Sequence, residues 1–301
     1  MMTQHHTPAR IRPDQLFQRC PLGCDSDLQV SAIAVTEGPL LRCSSCGQLV
    51  SSCAHEQYES ALRRWNTAHG TLPESRAASR FQEVNQRRLR SALSQSEGPG
   101  IPPHLLDVGC SSGALLAVAA NLGFSVTGVE PASKAAQTAQ GAGFNVFHGL
   151  LHEAHFPDME FDIVTLFELI EHIVDPVALL TECHRILKPG GTIVVNTPNA
   201  DSWTARFMQE RWEGFSLVTM GGHISFFSPE SMRALARASG LAVASIETRN
   251  VRFYEKGQCH PVGFLMAKLA AQLLALPARL AGRGHDLLVF LRCEQSVSSR
   301  V

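Results

Sequence analysis

The stretch Leu105-Leu106-Asp107-Val108-Gly109-Cys110-Ser111-Ser112-Gly113 runs from a short apolar segment into a turn bounded by glycines, and a helical pattern begins at Ala114. An apolar run of this length that stops at glycine reads as a buried strand ending in a tight turn. Gly109 and Gly113 take side chains away where a ligand would approach the backbone. The free N–H groups at the start of the following helix favour a polar or anionic ligand. Glu130 closes the next apolar run, and an acid there can accept hydrogen bonds from a ribose diol. A dinucleotide-binding turn has the same layout, although it wants glycine where this chain has Ser111. A purely structural turn is the plain alternative.

Outward from this turn the chain alternates between the two periods. Helical patterns cover residues 114–122 and 132–140, and strand patterns cover 125–129, 144–147 and 161–167. Val177, Leu180, His184 and Leu187 keep helical spacing over 176–187, and Pro189-Gly190-Gly191 is read as the stop. A buried strand follows at 192–196. Ser228 caps a helix with Pro229 in its first turn and Gly240 at its end, and the last strands are 241–247 and 286–292. This alternation predicts an α/β, doubly wound, mostly parallel sheet with helices on both faces. Ligands of such sheets sit beyond the carboxyl ends of the strands.

Upstream, residues 56–93 are helical in pattern, and Ser94 to Pro103 (SQSEGPGIPP) has the composition of a linker. The expected organisation is a loose leader over 1–19, a cysteine module over 20–55, a helical segment and linker over 56–103, and the large domain over 104–301. That domain carries a helical, lid-like insertion near 252–284. Its longest apolar stretch, 262–282, is interrupted by Lys268, Gln272, Pro277 and Arg279, which argues against a membrane span. An amphipathic helix over the active site, a buried core helix and a membrane-surface helix stay open as readings.

Hydrophobic residues make up 45% of the 301 and charged residues 18%, which suits a globular protein. A net charge of −1 argues against a general polyanion binder, so DNA is not an expected partner. Residues 1–19 have no apolar core, so no secretory signal is read there and a cytoplasmic location is expected.

Five segments of the large domain carry a resemblance. Asp107-Val108-Gly109-Cys110-Ser111-Ser112-Gly113, Val126-Thr127-Gly128-Val129-Glu130, residues 161–172 (FDIVTLFELIEH), Leu187-Lys188-Pro189-Gly190-Gly191 and Asn196-Thr197-Pro198-Asn199 occur in that order. Together they resemble the class I S-adenosylmethionine-dependent methyltransferases over residues 105–249. The resemblance implies a seven-stranded Rossmann-like sheet and S-adenosylmethionine as cofactor. It implies that Asp107, Gly109, Cys110 and Gly113 form the loop around the methionine end and that Glu130 holds the ribose. Leu150 and Leu151 would flank the adenine, and Phe167 would line the pocket. Asn85-Gln86-Arg87-Arg88-Leu89 resembles the segment that sends an arginine, here Arg88, to the cofactor carboxylate. Ser111 and Ser112 depart from the usual glycine or threonine, and Glu130 from the commoner aspartate.

Glu168, Glu171 and His172 follow the fourth strand of the sheet. If that turn is helical, positions i, i+3 and i+4 share one face, and two carboxylates converge with an imidazole. Such a group can bind a divalent cation, Mg²⁺ or Mn²⁺, or act as a base with its orienting partner. It can also be structural. His223, in Gly221-Gly222-His223-Ile224-Ser225-Phe226-Phe227, is a candidate fourth member. The cluster resembles those of ubiquinone-biosynthesis O-methyltransferases and of small-RNA 2′-O-methyltransferases, where it carries a metal.

Nine cysteines are present, five of them between Cys20 and Cys53. Cys20-x₃-Cys24 and Cys43-x₂-Cys46 have the spacing of two knuckles around a structural Zn²⁺. The module resembles a zinc ribbon, with three residues in the first knuckle instead of two. Cys53 and His55 are possible substitutes for one ligand; Cys110, Cys183, Cys259 and Cys293 read as isolated. Trp203, Phe207, Trp212, Phe215 and Met220 form either an aromatic lid or ordinary packing. The expected activity is O-methylation of a small-molecule acceptor. An RNA-modifying enzyme whose ribbon holds nucleic acid, and a non-catalytic interaction protein, are the alternatives.

Overall fold

A computed structural model describes residues 12–68, 75–218, 221–253 and 261–293. Residues 1–11 of the expected leader, together with Met220 and Cys259, lie outside the described residues. Residues 12–19 do not form a loose leader. Leu16 and Phe17 are buried, and the Leu16 N–H donates to the Cys53 carbonyl at 2.9 Å. Two apolar side chains in sequence suffice to pin the segment to the module behind it.

The cysteine module folds as three antiparallel strands, β1 (Leu28–Val35), β2 (Gly38–Cys43) and β3 (Leu49–Val50). Two helices follow, α1 (His55–Ala68) and α2 (Ser75–Gln95). The single helical stretch expected over 56–93 is therefore divided, and α2 extends into the residues read as linker.

The large sheet then begins. It is built in chain order from β4 (His104–Val108), α3 (Ala114–Asn121), β5 (Ser125–Glu130), α4 (Ser133–Gly141), β6 (Asn145–His148), β7 (Phe161–Phe167), α5 (Pro176–Ile186) and β8 (Leu187–Pro198). After β8 come α6 (Trp203–Met208), β9 (Ser225–Phe226), α7 (Pro229–Ala238), β10 (Leu241–Arg249), α8 (Pro261–Leu280) and β11 (Asp286–Cys293). The strand order is β10-β11-β8-β7-β4-β5-β6. Strands β4 to β8 are parallel, and β11 runs against both its neighbours. This is the doubly wound, mostly parallel, seven-stranded Rossmann-like sheet expected. Its central strands are mostly apolar because both faces are covered by helices: all residues of β7 but Phe167 are buried, Asp162 and Thr165 among them.

Pro189-Gly190-Gly191 is not the helix stop. Helix α5 ends at Ile186, and β8 starts at the next residue and contains the Pro-Gly-Gly segment. Pairing jumps from Phe161↔Leu187 to Ile163↔Thr192, so the extra residues bulge out of the ladder.

The two sheets are joined. Strand β9, from the large domain, pairs antiparallel with β3 at Leu49↔Phe226 and Val50↔Ser225 and completes a four-stranded sheet with the cysteine module. Trp212 and Phe215 do not form a lid. Both are buried with Met208 and Phe226 against Leu40 and Leu49 of the module, with Phe215 and Phe226 edge to face at 5.1 Å. These aromatic rings cement the module to the large domain.

Candidate functional site

The turn after β4 builds one end of the site. Gly109 has φ of 76°, a left-handed conformation, and a Cβ there would meet Leu169 Cδ1 at 3.1 Å. Gly113 has φ of 84°, and a Cβ there would meet Phe144 at 2.9 Å. Helix-to-sheet packing, rather than ligand approach, thus accounts for the second glycine. Glu130, at the end of β5, ties the turn down: its carboxylate accepts from Ser111 N–H at 2.9 Å and from Ala132 N–H at 2.8 Å. Each oxygen keeps a further acceptor position for a ligand hydroxyl. Leu150 and Leu151 follow β6 beside it, Leu150 half exposed and Leu151 buried in the core.

A cavity of about 640 Å³ opens at the carboxyl ends of β4, β7 and β8. Its walls bring together Arg88 from α2, Asp107, Gly109 and Cys110 from the turn, and Phe167 and Glu168 from the end of β7. The Arg88 guanidinium lies over the Phe167 ring, 5.3 Å from its centre, a cation–π arrangement that holds the charge at the cavity wall. Gly113, Glu130, Leu150 and Leu151 are not on the walls of this cavity; Glu130 touches it through Ser111.

Two carboxyl groups on these walls have unusual acidity. Burial pushes Asp107 up to about 7, against the pull of a 2.7 Å hydrogen bond from the Thr165 hydroxyl. Burial, then the neighbouring Asp286, pushes Glu168 up to about 7, against Arg88 and an amide hydrogen bond from Asn196. Glu168 is also left-handed, with φ of 52°, which is uncommon for a residue with a side chain. Asn196 Oδ1 is buried without a hydrogen-bond partner. A cavity with Asp107, Glu168 and Asp286 set against Arg80 and Arg88 suits a ligand carrying both a carboxylate and positive charge. S-adenosylmethionine is such a ligand.

Glu168, Glu171 and His172 do not share a helix face. The left-handed Glu168 breaks the chain direction, and the turn resumes as a 3₁₀ helix over Ile170–His172. Glu168 therefore faces the cavity, while Glu171 and His172 meet His223. The ligand atoms of these three lie within 4.8 Å of one another. Glu171 Oε1 is 3.7 Å from His223 Nε2 and has no hydrogen-bond partner, and Oε2 accepts from Thr197 at 2.9 Å. His223 Nδ1 donates to the Gly214 carbonyl at 3.0 Å, which leaves Nε2 as the acceptor. Burial drives Glu171 well above the usual carboxylate range, with Glu168 adding to it, and pushes His223 down to about 4. His172, half buried, is the member nearest to solvent. The Tyr58 hydroxyl donates to its backbone carbonyl at 2.7 Å.

In the module, the sulfurs of Cys20, Cys24, Cys43 and Cys46 lie within 4.8 Å of one another, and those of Cys20 and Cys46 are 3.6 Å apart. A Zn–S length of about 2.3 Å puts tetrahedral sulfurs roughly 3.8 Å apart, so these side chains fit the ion. None of the four is in a disulfide. Cys53, fully buried in the core, and His55, at the start of α1, are not in the group.

Sequence reasoning missed Asp286, Thr165 and Tyr58. Asn196 lies in a segment already singled out, yet nothing in it marked the side chain as the partner of Glu168.

The family model described as "Methyltransferase domain" matches residues 76–246, more than half of the chain. A ubiquinone biosynthesis O-methyltransferase of Thiobacillus denitrificans is 32% identical over 173 residues, 54% of this chain and 73% of that protein. One from Pseudomonas paraeruginosa is 33% identical over 47% of this chain, and the match spans 66% of its own length. Among solved structures, a chain from the complex of the Haloferax volcanii Trm112 methyltransferase activator with a methyltransferase shares the fold. Its TM-score is 0.53 at 18% identity, over 78% of this chain and 98% of that one. The cavity at the sheet edge and the match over β4 to β10 lead to one conclusion: the chain belongs to the methyltransferase-domain family and is an S-adenosylmethionine-dependent methyltransferase.

Proposed function

We propose that this methyltransferase methylates an oxygen of a small-molecule acceptor. The observation that carries the reading is the continuity at the end of β7. Glu168 lines the cofactor cavity, and the next turn leads to a buried carboxylate and two imidazoles. A hydroxyl is a weak nucleophile until its proton is removed or its oxygen is polarised, and this group offers both. The O-methyltransferases similar to this chain support the same class of acceptor.

In this reading Arg88 holds the cofactor carboxylate, Glu130 takes the ribose hydroxyls through its free acceptor positions, and Leu150 with Leu151 flank the adenine. S-adenosylmethionine supplies an electrophilic methyl group. The methyl group would pass from the cofactor sulfur to the acceptor oxygen, and His172, with Glu171 and His223 behind it, would take the acceptor proton. The chain's main work is positioning and exclusion of water. The four module cysteines would hold one structural Zn²⁺, and the domain boundaries would follow those expected, near residues 55 and 103.

A second reading adds a metal. The unpartnered Glu171 Oε1 and the two imidazoles favour a bound divalent ion. With two nitrogens and one oxygen in the set, Mn²⁺ is preferred to Mg²⁺, which takes oxygen ligands.

The test is incubation of the enzyme with cell extract and methyl-labelled cofactor, followed by identification of the labelled product. A small molecule with a new O-methyl group supports the proposal. Label confined to RNA, or cofactor bound without any transfer, would overturn it.

A further inference from the structure

Helix α8 is amphipathic in an inverted sense. Its large side chains Leu265, Met266, Leu269, Leu273, Leu276 and Leu280 point to solvent, with Leu273 and Leu280 about 80% exposed (79% and 80%). The residues turned toward the protein, where the helix packs on β10, are mostly small: Ala267, Ala270, Ala271, Ala275 and Ala278, with Leu274 among them. Over the window Gly263–Leu280 the mean hydropathy is 1.3 and only 6% of the residues are buried. At about 100° per residue the six large side chains fall within an arc of roughly 100°, a stripe roughly 22 Å long. A stripe of this size is not scattered surface leucine; it marks a surface that meets something apolar.

Charge selects the partner. Lys268, which also borders the cavity beneath the helix, and Arg279 fall on one edge of the arc, and residues 261–285 contain no Asp or Glu; Arg283, after the helix, is already paired with Asp201. Two antiparallel copies of the helix laid face to face would bring their basic edges together with no acid in the segment to answer them. A bilayer with anionic headgroups answers both features: the apolar arc enters the acyl boundary while the basic side chains reach the phosphates. The helix is long and apolar enough to span, but its tethers forbid it. Arg249 and Asp286, which flank the segment, are register partners in one sheet. A single span would leave them on opposite sides of about 30 Å of hydrocarbon; the five residues 281–285 are too short to return that distance, and residues 250–260 could do so only as extended backbone with its polar groups unpaired in hydrocarbon.

We propose that α8 is an interfacial helix that docks the protein on an anionic membrane surface. The inner side of the helix also walls a cavity of about 610 Å³ that shares Arg80 with the cavity at the sheet edge. The docking is independent of which acceptor is methylated.

Flotation of the full chain with vesicles tests this. The wild type should float with phosphatidylcholine vesicles containing phosphatidylglycerol and much less with phosphatidylcholine alone. Leu269→Glu, Leu273→Glu and Leu276→Glu together should lower partitioning about tenfold or more, with cofactor affinity retained as the control for folding. Lys268→Glu with Arg279→Glu should abolish the preference for anionic vesicles. As an independent readout, the Leu273→Trp variant should show blue-shifted emission on the anionic vesicles. Wild type that stays unbound with both vesicles, or emission of the Leu273→Trp variant that neither vesicle shifts, would overturn the proposal. So would a concentration-dependent dimer that the triple variant dissolves, since the stripe would then be a contact between copies.

Discussion

The Glu171 carboxylate and the His223 ring meet at 3.7 Å, joining the turn after β7 to the segment that leads into β9. The same segment carries the Ile224 N–H to the Glu171 carbonyl at 2.9 Å and the Ile224 carbonyl to Ser51 of the cysteine module at 2.8 Å. If this pair holds a cation, chelation mild enough to leave the module's zinc bound, checked by elemental analysis, should lower turnover about 10–100-fold, the scale of losing a metal-site partner, and Mn²⁺ should restore it. Glu171→Gln should no longer respond to Mn²⁺. Full activity in chelator would reject the metal reading.

Glu130→Ala should weaken S-adenosylmethionine binding by about 1.5–3 kcal/mol, the worth of a hydrogen bond to a charged group. The same change frees the Ser111 and Ala132 N–H groups, so the melting temperature should also fall. Calorimetry showing unchanged affinity would remove Glu130 from the site.

Asp107 and Glu168 both lie at about 7 in the free protein. The positive sulfonium and ammonium of the cofactor favour the ionised carboxylates, so the complex binds fewer protons than the free enzyme. Affinity should therefore rise with pH between about 6 and 7.5, by up to tenfold per unit for each group. Calorimetry at neutral pH in buffers of different ionisation enthalpy should detect the released protons. A flat profile would show that neither group faces the cofactor charge.

Cys43→Ser with Cys46→Ser should reduce bound zinc from about one ion per chain to none. Because β3 pairs with β9, the loss should destabilise the whole chain by several kcal/mol rather than free a tail. Elemental analysis and thermal unfolding check the two halves. Zinc retained by the double variant would place the ion elsewhere.

The strands of the large sheet were legible because both faces are covered and each reads as an apolar run. The position of Glu130 followed from the same pattern. Three things were not local enough to read. Glu168 departs from Glu171 and His172 because a left-handed residue interrupts what the i, i+3, i+4 spacing suggests. Asp286 reaches the cavity because β11 runs antiparallel, which brings its start to the edge where the parallel strands end. The periodicity of α8 was visible, but periodicity does not say which face turns inward; the alanines do, and only the fold shows it.

The division of labour between cavity and cluster is tested most directly by one variant, His172→Ala, with turnover and cofactor affinity measured on the same preparation. If the cluster serves the acceptor and the cavity serves the cofactor, as proposed, turnover should fall about 10²–10⁴-fold, the range of a lost acid–base group, while cofactor affinity stays nearly intact. Equal losses in both, or full activity, would contradict the account.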